Sequence, residues 1–178
     1  MDVTRKIFLA VLKGALAGEK VDPGRKLSPE EWRQLFNLAQ IHQVLPLFYD
    51  AVYPFVNGAA AALGAEVRQT VRLQVMRQTV KTCEFLKLNR ALQEAGVTPL
   101  VVKGLICRNL YPNPDMRPSG DEDVLIPAAQ FPVCHRTMLK NGMNTILQPG
   151  ELTKAYEVPY RREGSPLYVE LHRNLFPR

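Results

Sequence analysis

The hydrophobic period of this chain changes at Gly96, and no other feature constrains the fold as strongly. Before it, apolar residues recur at helical spacing; after it, they gather in short runs bounded by proline and glycine. In residues 3–17, Ile7, Val11 and Leu12 share a face with Phe8 and Ala15 beside them, and Gly18 and Asp22-Pro23-Gly24 break the chain. Ser28-Pro29-Glu30-Glu31 predicts a helix start. Ser28 is the N-cap, Pro29 takes the first helical position, Glu31 completes a capping box, and the helix runs to about residue 44. Leu45-Pro46 opens a short helix ending near Pro54. One long helix is expected over 65–95. Its apolar stripe is Val67, Val71, Val75, Val80, Phe85, Leu88 and Leu92, its other face is solvated, and Gly96 is its C-cap.

Beyond Gly96 the spacing predicts a buried strand over 98–102, Lys103-Gly104, and a short helix to about Tyr111. A proline-rich loop over 112–119 leads to a strand from Asp121 to Pro127 and a helix over 128–140, closed by Asn141-Gly142. Strands are expected over 143–148, about 154–161 and 167–172. The division is a helical region, 1–95, followed by an α/β unit, 96–178.

Composition excludes several classes. No run approaches eighteen apolar residues, so no membrane span is expected, and the N-terminus lacks the apolar core of a secretory signal. Cys83, Cys107 and Cys134 are odd in number and contain no CxxC pair, which argues against a disulfide framework or zinc site and fits a reducing cytoplasm. The net charge of +6 attracts anions, but the basic residues are scattered without interleaved aromatics, so nucleotide binding ranks above nucleic-acid binding.

Residues 117–126, Arg-Pro-Ser-Gly-Asp-Glu-Asp-Val-Leu-Ile, carry the most chemistry. Strand alternation points Asp121 and Asp123 the same way, and neighbouring carboxylates repel unless a cation lies between them. A hard divalent ion, Mg²⁺ or Mn²⁺, suits them and suggests phosphate chemistry; the alternative is a solvated strand edge. Tyr168, Glu170 and His172 share one face of the last strand. If that strand lies beside the Asp strand, Glu170 becomes a third carboxylate, as metal ligand or general base. His172 reads first as a structural histidine and second as a catalytic one. Lys103-Gly104, at a strand-to-helix junction, suits phosphate, although most such pairs are simple turns. Arg117 either grips a triphosphate or pins its loop through Asp115, and Ser119-Gly120 makes the turn that aims the aspartates.

These elements in this order resemble the uncharacterised nucleotidyltransferase family of the DNA polymerase beta-like superfamily. The resemblance rests on Leu100-Val101-Val102-Lys103-Gly104, then Tyr111-Pro112, then Met116 through Ile126, then Val169-Glu170-Leu171-His172, and covers about residues 96–176. It implies an α+β fold: a helical N-terminal part, then a minimal nucleotidyltransferase unit with a mixed sheet and flanking helices. It implies Asp121, Asp123 and Glu170 as metal-binding and catalytic residues, and Lys103, Gly104, Arg117, Ser119 and Gly120 at the nucleotide. The reaction implied is transfer of a nucleoside monophosphate from an NTP, ATP first among them, to a hydroxyl, with pyrophosphate released. Leu105 stands where the superfamily has serine or glycine, which weakens the grip on phosphate, and Glu122 stands where an apolar residue is common and points away from the metal. The chain stops at Arg178, just past the Glu170 strand, so a short member, or one lacking a C-terminal acceptor pocket, is expected.

The first functional reading is therefore a metal-dependent nucleotidyltransferase whose acceptor is a sugar, small molecule, protein or RNA. The second is an inactive nucleotide-binding or regulatory module, toxin–antitoxin-like, with the helical region as a partner surface. The third is a structural protein with no nucleotide site.

Overall fold

The computed structural model describes residues 2–152 and 154–174. The chain end at Arg178, on which the expectation of a short or truncated member rests, lies outside them. The contacts divide the chain into two compact units: Met1–Gln78 with Arg108–Pro118, and Thr79–Cys107 with Ser119–Arg178.

The first unit is helical. Helix α1 (Val3–Leu16) starts at Asp2, whose side chain accepts from the Arg5 amide. Helix α2 (Pro29–Ile41) carries the expected capping box, with Ser28 accepting from the Glu31 amide at 3.2 Å and Glu31 from the Ser28 amide at 2.8 Å. Helix α3 (Leu45–Val52) follows, and helix α4 (Ala61–Glu94) begins in this unit. Phe8, Val11, Trp32, Leu35, Phe36, Phe48 and Val52 are buried together, with Phe8 stacked on Phe48 and Phe36 edge-on to it. Ring pairs in these arrangements add to the burial of their area.

Glu31 also pairs with Arg25, and these hydrogen bonds, the one from Arg25 foremost, hold its carboxyl down at about 2. A depressed carboxyl contributes stability above its unfolded value of 4.5 that is lost as the pH falls toward 2. Circular dichroism over that interval is expected to show a helical loss that is shallower in Glu31→Gln, because the amide does not titrate.

The second unit is a four-stranded sheet in the order β1-β2-β4-β3, built from β1 (Leu100–Val101), β2 (Glu122–Leu125), β3 (Glu157–Arg161) and β4 (Tyr168–His172). β2 and β4 run parallel while the outer pairs are antiparallel, so the sheet is mixed and the fold is α+β. One face, with Val124, Val158, Tyr160, Val169 and Leu171, packs on Phe85, Leu88 and Leu92 of α4 and on Cys134 and Met138 of α6 (Phe131–Lys140). Two four-residue helices, α5 (Leu105–Arg108) and α7 (Pro149–Leu152), complete the chain. No helix of the described residues is long and apolar enough to cross a membrane.

Several expectations are met with local reasons. Gly96 closes α4 at φ 79°, with the Val97 amide donating to Leu92 O and the Gly96 amide to Gln93 O, a double cap that needs a left-handed residue. Others are corrected. Residues 143–148 form no strand: they make a single bridge, Asn144 to Arg161. The Leu147 and Gln148 amides are taken by Thr145 Oγ1 and Glu151 Oε2, so no ladder can use them. The first strand shortens to Leu100–Val101 because Pro99 has no N–H and the Thr98 amide donates to Gln130 Oε1. The helix expected over 128–140 begins as a 3-10 turn and becomes α-helical only at Phe131, beside Pro132. On α4, Val80 is exposed and Lys81 is buried, the reverse of the expected stripe. Separately, the packing groups residues 79–94, the later part of α4, with the sheet.

Candidate functional site

The sheet has an apolar face and a polar one, and the polar face carries the chemistry. Asp123 on β2 stands in register with Glu170 on β4, and His172 lies two residues further along β4. Adjacent strands run about 4.8 Å apart, so residues in register present neighbouring side chains on one face. Asp123, Glu170 and His172 each offer a ligand atom within 4.8 Å of the others. Asp121 lies one residue before the ladder and is half-buried; it is not in this group of three, but its charge acts on Glu170.

Asp123 is 1% exposed. Its Oδ1 meets His172 Nε2 at 3.1 Å and the Lys103 ammonium at 3.3 Å, while its Oδ2 is buried with no hydrogen-bond partner. A buried polar atom left without a partner costs about 1–3 kcal/mol, and more when charged. A divalent cation would supply the partner, and two carboxylates with an imidazole are an ordinary donor set for one. Burial, then the charges of Glu157, Asp121 and Asp123, raise the Glu170 carboxyl above its usual range. Positive charge placed among these groups would offset that repulsion. The residues present thus fit a divalent metal.

Glu122, between the two aspartates, points to the opposite face and is fully buried. Its carboxylate lies 3.3 Å from the Lys81 ammonium of α4 and accepts from the Leu105 amide at 2.6 Å. Lys81 also donates to Ser119 O and Ser119 Oγ, each at 3.1 Å. One lysine on α4 thereby anchors both the Ser119-Gly120 turn and the carboxylate that holds the Gly104-Leu105 turn.

That second turn admits only glycine. Gly104 has φ 54°, and a Cβ there would stand 2.0 Å from Glu122 Oε2 and 2.9 Å from the Asp121 carbonyl oxygen. Gly104→Ala is expected to cost about 2–4 kcal/mol, the sum of left-handed strain and a displaced buried hydrogen bond, read as a lowered melting midpoint. An unchanged midpoint would mean that the turn relaxes freely.

The structure therefore brings together Asp123, Glu170, His172 and Lys103, with Asp121 within electrostatic reach. It holds Gly104, Ser119 and Gly120 in turns that flank β2, the first two fixed through the Lys81–Glu122 pair. Arg117 is grouped with the helical unit, where its Nη1 is buried without a hydrogen-bond partner. Three residues escape the sequence pattern. Glu157 on β3 pairs across from His172, its carboxylate 3.8 Å from His172 Nδ1. Glu122 does point away from the carboxylate face, as expected, but into a buried ion pair. Lys81 falls on the face expected to be solvated, although its helical spacing to Phe85, Leu88 and Leu92 puts a cation on the apolar stripe.

No curated protein matches the chain. The sequence model of a family described as "Uncharacterised nucleotidyltransferase" matches residues 28–178, most of its length. The match takes in every one of these site residues, and the chain belongs to that uncharacterised nucleotidyltransferase family.

Proposed function

We propose that the chain is a metal-dependent nucleotidyltransferase that moves a nucleoside monophosphate from an NTP, ATP first among them, to a hydroxyl and releases pyrophosphate. The observation that carries this reading is the in-register Asp123 and Glu170 beside His172, with one buried Asp123 oxygen lacking a partner. Asp121, Asp123 and Glu170 are the residues that would hold Mg²⁺ or Mn²⁺, and His172 positions Asp123 through the contact of its Nε2 with Oδ1. When bound, the ion would neutralise charge that builds on the transferring phosphoryl group. Lys103 places a mobile positive charge beside the carboxylates, suited to a phosphate oxygen. Ser119, Gly120 and Gly104 shape the backbone against which the nucleotide lies. Arg117 completes the nucleotide-binding set that the family resemblance implies.

Glu170 is more exposed than Asp123 or His172, and its carboxyl is held above the usual range. Glu170 either holds the metal or, left unligated, takes the proton of the attacking hydroxyl, a task its greater exposure suits. We assign the transfer chemistry to residues 96–178 and leave the helical region, 1–95, to a protein partner. The free cysteines fit a cytoplasmic setting, where NTPs are abundant.

Thermal melts across the four NTPs, with and without Mg²⁺, test the reading, followed by pyrophosphate release with pooled sugar, protein and RNA acceptors. A midpoint that rises with nucleotide and Mg²⁺ together, by mass action, and pyrophosphate release are expected. Binding without release would mark a regulatory module instead. No shift with any NTP would remove the nucleotide from the account.

A further inference from the structure

We propose that Lys103 is a tethered counter-ion of the carboxylate group: it competes with a divalent cation for Asp123 and gives way when a polyphosphate offers its ammonium another partner. The inference rests on the reading of this face as a metal and nucleotide site.

The backbone sets the tether. The Val102 amide donates to Asp123 O at 3.0 Å, which keeps the chain alongside β2 and delivers the next residue, Lys103, to the carboxylates. Its Nζ lies 3.3 Å from Asp123 Oδ1, yet its side chain is 68% exposed, so water reaches it and the four-carbon stem is free to swing. The ammonium is held above its ordinary pKa by Asp123 first, then by Asp121 and Glu170, so all three carboxylates act on it. It therefore offsets the repulsion that Asp123 and Glu170 would otherwise feel.

A divalent ion bound through Asp123 would sit within a few ångströms of that ammonium. The two positive charges repel, and solvent on the exposed side weakens the repulsion without abolishing it. Metal affinity without nucleotide is lowered accordingly. A polyphosphate removes the penalty by accepting charge-assisted hydrogen bonds from the displaced ammonium. Each ligand then raises the affinity for the other by the same factor, because coupling between sites is reciprocal. The protein holds metal weakly until the nucleotide arrives.

The test is Mn²⁺ binding to the full chain, followed by electron paramagnetic resonance, first alone and then with the base-free probe tripolyphosphate at constant free Mn²⁺. Lys103→Met keeps the stem and removes the charge. It should bind Mn²⁺ about tenfold more tightly without polyphosphate, and the gain in affinity on adding polyphosphate should shrink by a similar factor. Lys103→Arg should behave like the wild type. Unchanged or weaker Mn²⁺ binding by Lys103→Met, with wild-type coupling, would overturn the proposal and leave the site reading standing. Wild-type protein that binds no Mn²⁺ under either condition, or binding that persists in Asp123→Asn, would overturn both.

Discussion

Asp123→Asn should lower nucleotidyl transfer by at least about 10³-fold, since a bound metal contributes several kcal/mol of charge stabilisation and each 1.36 kcal/mol is tenfold in rate. The substitution keeps the shape of the side chain and its hydrogen bond to His172, so the sheet should still form. It removes the charge that draws a cation to the buried oxygen without a partner. The rise in melting midpoint on adding Mg²⁺ and nucleotide together should vanish with it. Activity within a few-fold of wild type would remove Asp123 from the metal set. Glu157→Gln is a useful contrast. Its carboxylate faces His172 Nδ1 across 3.8 Å, and it is no member of the three-residue group.

Lys81→Met should strongly destabilise the sheet unit. The ammonium and the Glu122 carboxylate are 3% and 0% exposed at the side chain and lie 3.3 Å apart. Lys81→Met takes the ammonium from a buried carboxylate and breaks two hydrogen bonds to Ser119, at about 3–5 kcal/mol. For a chain of this size that lowers the midpoint by about 6–20 °C. Removing both charges should do less harm than removing one, so Lys81→Met with Glu122→Gln should recover part of the loss. The amide oxygen that Glu122→Gln introduces can still accept from the Leu105 N–H, which preserves the Gly104 turn. Transfer should fall in the single variant even below its midpoint, because Lys81 also holds Ser119 through two hydrogen bonds. A midpoint lowered by less than about 2 °C would show that the pair contributes little to holding the fold together.

Much of this architecture was legible from local chemistry. The Ser28–Glu31 capping box and the Gly96 cap are decided within a few residues, since each satisfies backbone groups that the helix itself leaves open. The carboxylates stand out for a similar reason, as charges at the edges of apolar runs. The expected strand over 143–148 fails because side chains competing for its amides are not visible in a hydrophobic pattern. The expected α4 stripe falls one residue out of place because valine signals burial and lysine does not, unless an acid waits opposite it.

The amino-acid order by itself determined the helical first part, the caps, the turns that need glycine, and which side chains bear charge, since short-range hydrogen bonds and backbone sterics settle those. Tertiary structure alone decided that β4 lies parallel to β2 in the register that sets Glu170 beside Asp123. It also turned Glu122 inward to Lys81 and brought His172 rather than Asp121 into the group of three. The physical reason is that pairing across 47 residues is selected by burial of the whole apolar face, and a shift of one residue would send Glu170 into the core and Val169 to the polar side.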